Sequence, residues 1–133
     1  MVKLTFIGDV MLKREQLAAI KDNRHTFLDT FSRVKGLLAD SDYVVGNLET
    51  PLAGEYAGYV SKPAWFNAPD DFAIALKEAG VDFLTTSNNH CLDRGVAGLK
   101  RTLDVLDDIG ISHTGTYRGA EESKIPTVID VKG

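Results

Sequence analysis

Apolar and polar positions along this chain switch repeatedly between a period of two and a period near 3.6, and the switches mark its elements. Residues 3–8, Lys-Leu-Thr-Phe-Ile-Gly, form a short β-branched apolar run that stops at Gly8-Asp9 and predicts a buried strand. The polar stretch 13–25 predicts a short helix followed by a loop. Phe27, Phe31, Val34, Leu37 and Leu38 recur at helical spacing, so 26–39 reads as an amphipathic helix. Tyr43-Val44-Val45-Gly46 predicts a second buried strand, ending at Asn47-Leu48-Glu49. Pro69-Asp70-Asp71 opens a helix with Phe72, Leu76 and Ala79 on its inner face, and Gly80 ends it. Residues 81–86 predict a third strand, followed directly by Ser87-Asn88-Asn89-His90. Gly95 starts another helix, with a stripe of Val96, Leu99, Leu103 and Leu106, and Gly110 closes it. Ile111 to Thr114 predicts a fourth strand and 125–131 a fifth.

Residues 50–69 break this rhythm. They hold Pro51, Pro63 and Pro69, glycines at 54 and 58, and aromatics at 56, 59, 65 and 66. That mixture predicts an irregular excursion over a site, with Trp65-Phe66 as its hydrophobic anchor in the first reading and a wall of the substrate cleft in the second. Elsewhere, strand–helix alternation predicts an α/β fold with parallel neighbours. Ligands in such sheets collect at the carboxyl ends of the strands. Gly8-Asp9, Asn47-Leu48-Glu49 and Asn88-Asn89-His90 occupy three of those ends.

Composition narrows the partners. The 133 residues suit one domain or a large piece of one, and 44% apolar with 26% charged residues is ordinary globular chemistry. A net charge of −4 with interspersed signs gives no basic stripe, which argues against nucleic acid. A single cysteine, Cys91, rules out an intramolecular disulfide. The first residues do not resemble a signal peptide, and no run approaches the roughly 20 apolar residues of a membrane span. As given, the chain is expected to suit the cytoplasm.

Two carboxylates (Asp9, Glu49), a carboxamide (Asn89) and an imidazole (His90) make a ligand set for a hard or borderline divalent ion. Such an ion would screen the repulsion between the acids and polarise a phosphoryl oxygen, while the histidine serves the leaving group. Each residue also has a plain structural reading. Asp9 can cap a turn, Glu49 can be a solvated loop acid, Asn88-Asn89 a turn pair and His90 a surface histidine. Asp93 reads first as a helix N-cap, Cys91 as a small apolar filler, and His25 and His113 as structural.

Three segments in order, Phe-Ile-Gly-Asp9-Val-Met-Leu, Gly-Asn47-Leu-Glu49-Thr-Pro and Ser-Asn-Asn89-His90-Cys-Leu-Asp93-Arg-Gly, resemble the bacterial capsule-synthesis CapA family of poly-γ-glutamate production. That family is similar to the calcineurin-like metallophosphoesterases. The resemblance implies a four-layer α-β-β-α sandwich, with a mostly parallel sheet, flanking helices and a metal site at the sheet edges. It implies Asp9, Glu49 and Asn89 as metal ligands and His90 as the catalytic residue. Asn47, Asn88 and Asp93 would support them or contact substrate. The implied cofactor is one or more divalent ions (Mn, Fe, Zn or Mg), and the substrate an anionic small molecule or polymer. Met11 stands where the phosphoesterases keep a histidine ligand, and Asn47 where they keep an aspartate. Those substitutions favour an alternative, a non-catalytic polymer-binding or assembly component of capsule biosynthesis. The Gly-His-x-His-type ligands of the phosphoesterases do not occur in the 133 residues. The chain is therefore expected to be the amino-terminal part of one such domain, truncated at its C-terminal side and inactive alone. Its uncovered sheet face is expected to favour self-association. Family relatives extend the expected location to the cell exterior or a membrane attachment.

Overall fold

A computed structural model describes residues 1–22, 25–59 and 65–133. Four strands, β1 (Leu4–Val10), β2 (Tyr43–Leu48), β3 (Phe83–Thr85) and β4 (Ser112–Thr114), form one parallel sheet in the order β1-β2-β3-β4. The helices are α1 (Arg14–Lys21), α2 (Phe27–Leu38), α3 (Asp70–Ala79) and α4 (Gly95–Ile109). The α/β class, the parallel sheet and the flanking helices agree with the sequence pattern.

Helix ends follow local chemistry. Thr26 caps α2 by accepting from the Asp29 amide, and Asp29 reaches back to the Thr26 amide. Gly80 and Gly110 end α3 and α4 in the left-handed conformation that their missing Cβ permits. The helices pack on one face of the sheet. Val44, Leu48 and Leu84 meet Phe27, Leu38, Phe72, Leu76 and Leu106 in a single buried cluster. Each such leucine contributes roughly 2 kcal/mol by leaving water.

Among the described residues, the opposite face of the sheet has no such cover. Leu4 and Phe6 of β1 are 49% and 72% exposed, and Tyr43, Val45 and Phe83 beside them are half-buried. The apolar stripe of α2 is also only partly used, with Leu37 72% exposed. Val96 of α4 lies open to solvent, and Gly98, Thr102, Leu103, Val105 and Leu106 are the residues that α4 buries.

The fifth strand expected at 125–131 does not form: those residues take no regular structure. Pro126 removes a ladder donor, and Ile125 and Val128 remain 68% and 82% exposed, so little burial offsets the cost of ordering them.

One irregularity shapes the site. In β1, Phe6 pairs with Val45 and Asp9 with Asn47, so β1 carries one extra residue between them. This bulge reverses the in–out alternation. Val10 turns inward and is buried, while Asp9 joins Asn47 on the face away from the helices. Asp9 therefore lies inside the strand, which runs to Val10 and does not stop at Gly8-Asp9.

Candidate functional site

The register sets Asp9, Asn47, Thr85 and Thr114 in one row across the carboxyl end of the sheet. Asn47 is the hub of this row. Its Nδ2 donates to Asp9 Oδ1 at 2.8 Å and to Glu49 Oε1 at 3.2 Å. Its Oδ1 accepts from Thr85 Oγ1 at 3.1 Å and from Asn88 Nδ2 at 3.2 Å.

The orientation of both amides is dictated by backbone. Asn88 Nδ2 also donates to the Leu48 carbonyl at 2.8 Å, and Asn88 Oδ1 accepts from the His90 amide at 3.0 Å. A carbonyl only accepts and an amide N–H only donates, so Asn88 has one arrangement. Asn47 must then present its oxygen to Asn88 and its NH₂ to the two acids.

His90 lies in the turn before α4 with its side chain only 14% exposed. Its Nδ1 is 3.1 Å from Asp93 Oδ2, and its ring stands perpendicular to that of Phe66 at 4.7 Å between centroids. Asp93 Oδ2 also accepts from the Phe66 amide at 2.8 Å. Asp93 is thus not the helix cap: Arg94 takes that position without a side-chain cap bond, and Asp93 is occupied by His90 and the loop. With Nδ1 facing a carboxylate, the neutral imidazole carries its proton there and leaves Nε2 as the free nitrogen.

The long excursion is fastened differently from expectation. Trp65 is 55% exposed and lies beside the Arg94 guanidinium, 5.8 Å from its centroid, so it anchors nothing in the core. The buried fastener is Asn67, whose Oδ1 accepts from Ala53 N while its Nδ2 donates to the Gly54 and Gly58 carbonyls. An asparagine in a proline-rich segment looks like an ordinary turn residue, and only the apolar Ala68 after it hints at burial.

Asp9, Asn47, Glu49 and Asn88 therefore form one connected set, and His90 and Asp93 join it through the Asn88–His90 bond. Asn89 is exposed on the turn, and its side chain stays outside this network among the described residues. Met11, Cys91, His25 and His113 are not part of it; His113 Nε2 instead pairs with Asp107 at 3.0 Å.

The donor set suits a hard cation. Asp9 and Glu49 approach one amide nitrogen, each keeps a second carboxylate oxygen, and neither is paired with a cation among the described residues. Asn47 does not add a ligand, because its oxygen is already committed. Among the described residues no three or more His, Cys, Asp or Glu side chains cluster closely enough to hold an ion unaided. The two acids fit such an ion as part of a shell completed by other oxygens.

A family model described as bacterial capsule synthesis protein PGA_cap matches residues 3–133. The chain belongs to the PGA_cap family. It is 30% identical to the capsule biosynthesis protein CapA of Bacillus anthracis, over 98% of this chain and 32% of that protein. It is 30% identical to the PGA biosynthesis protein CapA of Bacillus subtilis, over 74% of this chain and 26% of that protein. An uncharacterised protein of Sinorhizobium fredii is 34% identical over 93% of this chain and 26% of its own length. The chain thus spans about a third or less of the PGA_cap relatives it matches. No described helix is long and apolar enough to cross a membrane.

Proposed function

We propose that this PGA_cap chain carries part of a metal-dependent hydrolase site of the metallophosphoesterase type, acting on an anionic substrate in capsule biosynthesis. The observation that carries this reading is the pair of carboxylates, Asp9 and Glu49, drawn onto one Asn47 nitrogen with no balancing cation among the described residues. Two acids held together repel, and a bound divalent ion relieves that repulsion. What the ion supplies there is charge neutralisation and Lewis acidity toward an anionic ester. Asp9 and Glu49 would hold it, and the exposed Asn89 amide in the turn after β3 is a further candidate ligand. His90 is oriented by Asp93, and in its imidazolium form Nε2 carries a second proton that it can hand to a leaving oxygen, returning to the neutral Nδ1–H form. Phe66 packs perpendicular to its ring and helps fix its position. The uncovered sheet face with Leu4 and Phe6 suits a second sheet layer, from further polypeptide or another copy, that would complete the sandwich.

A second reading is a non-catalytic component that binds or assembles the capsule polymer. It is favoured by Asn47, whose NH₂ already partly offsets the two acids. Assaying the full-length protein on a generic phosphodiester separates the two readings. The hydrolase reading predicts turnover that requires added Mn²⁺ or Mg²⁺ and stops on chelation. Polymer retention by pure protein with no turnover under any metal would reject it in favour of the second.

A further inference from the structure

Behind the site, four threonines converge on a space the size of one water molecule. Thr50, Thr86 and Thr102 are 1%, 4% and 6% exposed, and with Thr116 they line a cavity of about 10 Å³. Leu48, Pro51, Cys91 and Leu99 complete the wall. A single water needs roughly 10–15 Å³ of such space and two to four polar partners. Among the described residues Thr50 Oγ1 is buried with no hydrogen-bond partner.

The hydroxyl inventory decides what the space can take. Thr86 Oγ1 donates its one proton to the Thr114 carbonyl at 3.1 Å and accepts from the Thr116 amide at 3.0 Å. In its 2.7 Å contact with Thr116 Oγ1, Thr86 has no proton left, so Thr116 is the donor there. Thr116 Oγ1 keeps two lone pairs. Thr102 Oγ1 donates to the Gly98 carbonyl and accepts from the Leu52 amide, which leaves it one lone pair. Thr50 has its proton and both lone pairs unused. The set therefore offers one free donor and several free acceptors.

We propose that this cavity is a binding site for one structural water, which accepts from Thr50 Oγ1 and donates to Thr116 Oγ1 and Thr102 Oγ1. Three bonds are the usual complement of a buried water. The water links the end of β2, the segment after β4, and α4. Two of its wall residues, Thr50 and Cys91, directly follow Glu49 and His90 in the chain. It thus fixes the residue after Glu49 to α4 and the segment after β4, next to the wall that Cys91 contributes. The proposal does not depend on what the site catalyses.

Thr50→Val gives a test with opposite signs, because valine keeps the shape and removes the hydroxyl. With a water present, the change strips one of its three partners, and the melting temperature of the full-length protein falls by roughly 2 °C. In a dry cavity the change removes an unpaired buried hydroxyl, and the melting temperature stays level or rises. A crystal structure of the wild type near atomic resolution is the second measurement. A compact density peak within hydrogen-bond reach of Thr50 Oγ1 and Thr116 Oγ1 supports the site. An ordered cavity without that peak overturns it, whatever the variant does.

Discussion

Replacing His90 by glutamine is expected to lower the metal-dependent turnover of the full-length protein by about 100-fold, the usual scale of a lost general acid. Glutamine retains the size of the side chain and can still hydrogen-bond Asp93, so the turn before α4 should persist. What it lacks is an imidazole nitrogen that can pass a proton to the leaving group. The expectation rests on geometry. Asp93 faces Nδ1 at 3.1 Å, which leaves Nε2 as the working nitrogen, and the Phe66 ring packs perpendicular to the imidazole at 4.7 Å. Steady-state kinetics on a generic phosphodiester give the answer. Unchanged kcat in a variant that folds and binds metal normally would remove His90 from the chemistry.

The larger structural effect is expected at Asn67. Truncation to alanine should cost about 3 kcal/mol of stability, because three backbone groups of the 53–58 loop lose their partner at once. Asn67 is fully buried, so water does not replace the lost bonds without opening the loop. Its neighbour Phe66 carries both the ring against His90 and the amide bonded to Asp93. Loosening the loop should therefore also disorder His90. Denaturant unfolding measures the first effect and protease sensitivity within 53–58 the second. A loss below about 0.5 kcal/mol, the range of ordinary surface changes, would show that Asn67 is not the fastener.

The contrast between Asn67 and Glu49 shows which features a single sequence makes legible. Strand and helix positions follow from periodicity, and Gly80 and Gly110 signal helix ends because only a residue without Cβ adopts the left-handed turn cheaply. The clustering of Asp9, Asn47, Glu49 and Asn88 follows from strand ends meeting in a parallel sheet. The bulge in β1 is silent in the sequence, although without it Gly8 and not Asp9 would stand opposite Asn47. Asp93 reads as a cap because acids commonly precede helices. Its actual partners, His90 and Phe66, depend on a loop whose path no local rule predicts. The 125–131 run has the apolar composition of a strand, but pairing needs a partner edge that composition does not provide. Trp65 misleads for a related reason: aromatic character marks capacity for burial, and tertiary geometry decides which residue is buried.

The claim on which the functional reading depends is that the acids gathered by Asn47 hold a divalent ion. Calorimetric titration of Mn²⁺ into the metal-free full-length protein and its Asp9→Asn variant tests it without reference to any substrate. Loss of one of two anchoring carboxylates should weaken binding by at least about 10-fold, the lower end of what even outer-shell partners contribute. Equal affinities in the two proteins would mean that the ion, if bound, sits elsewhere, and that the carboxylate pair is not a metal site.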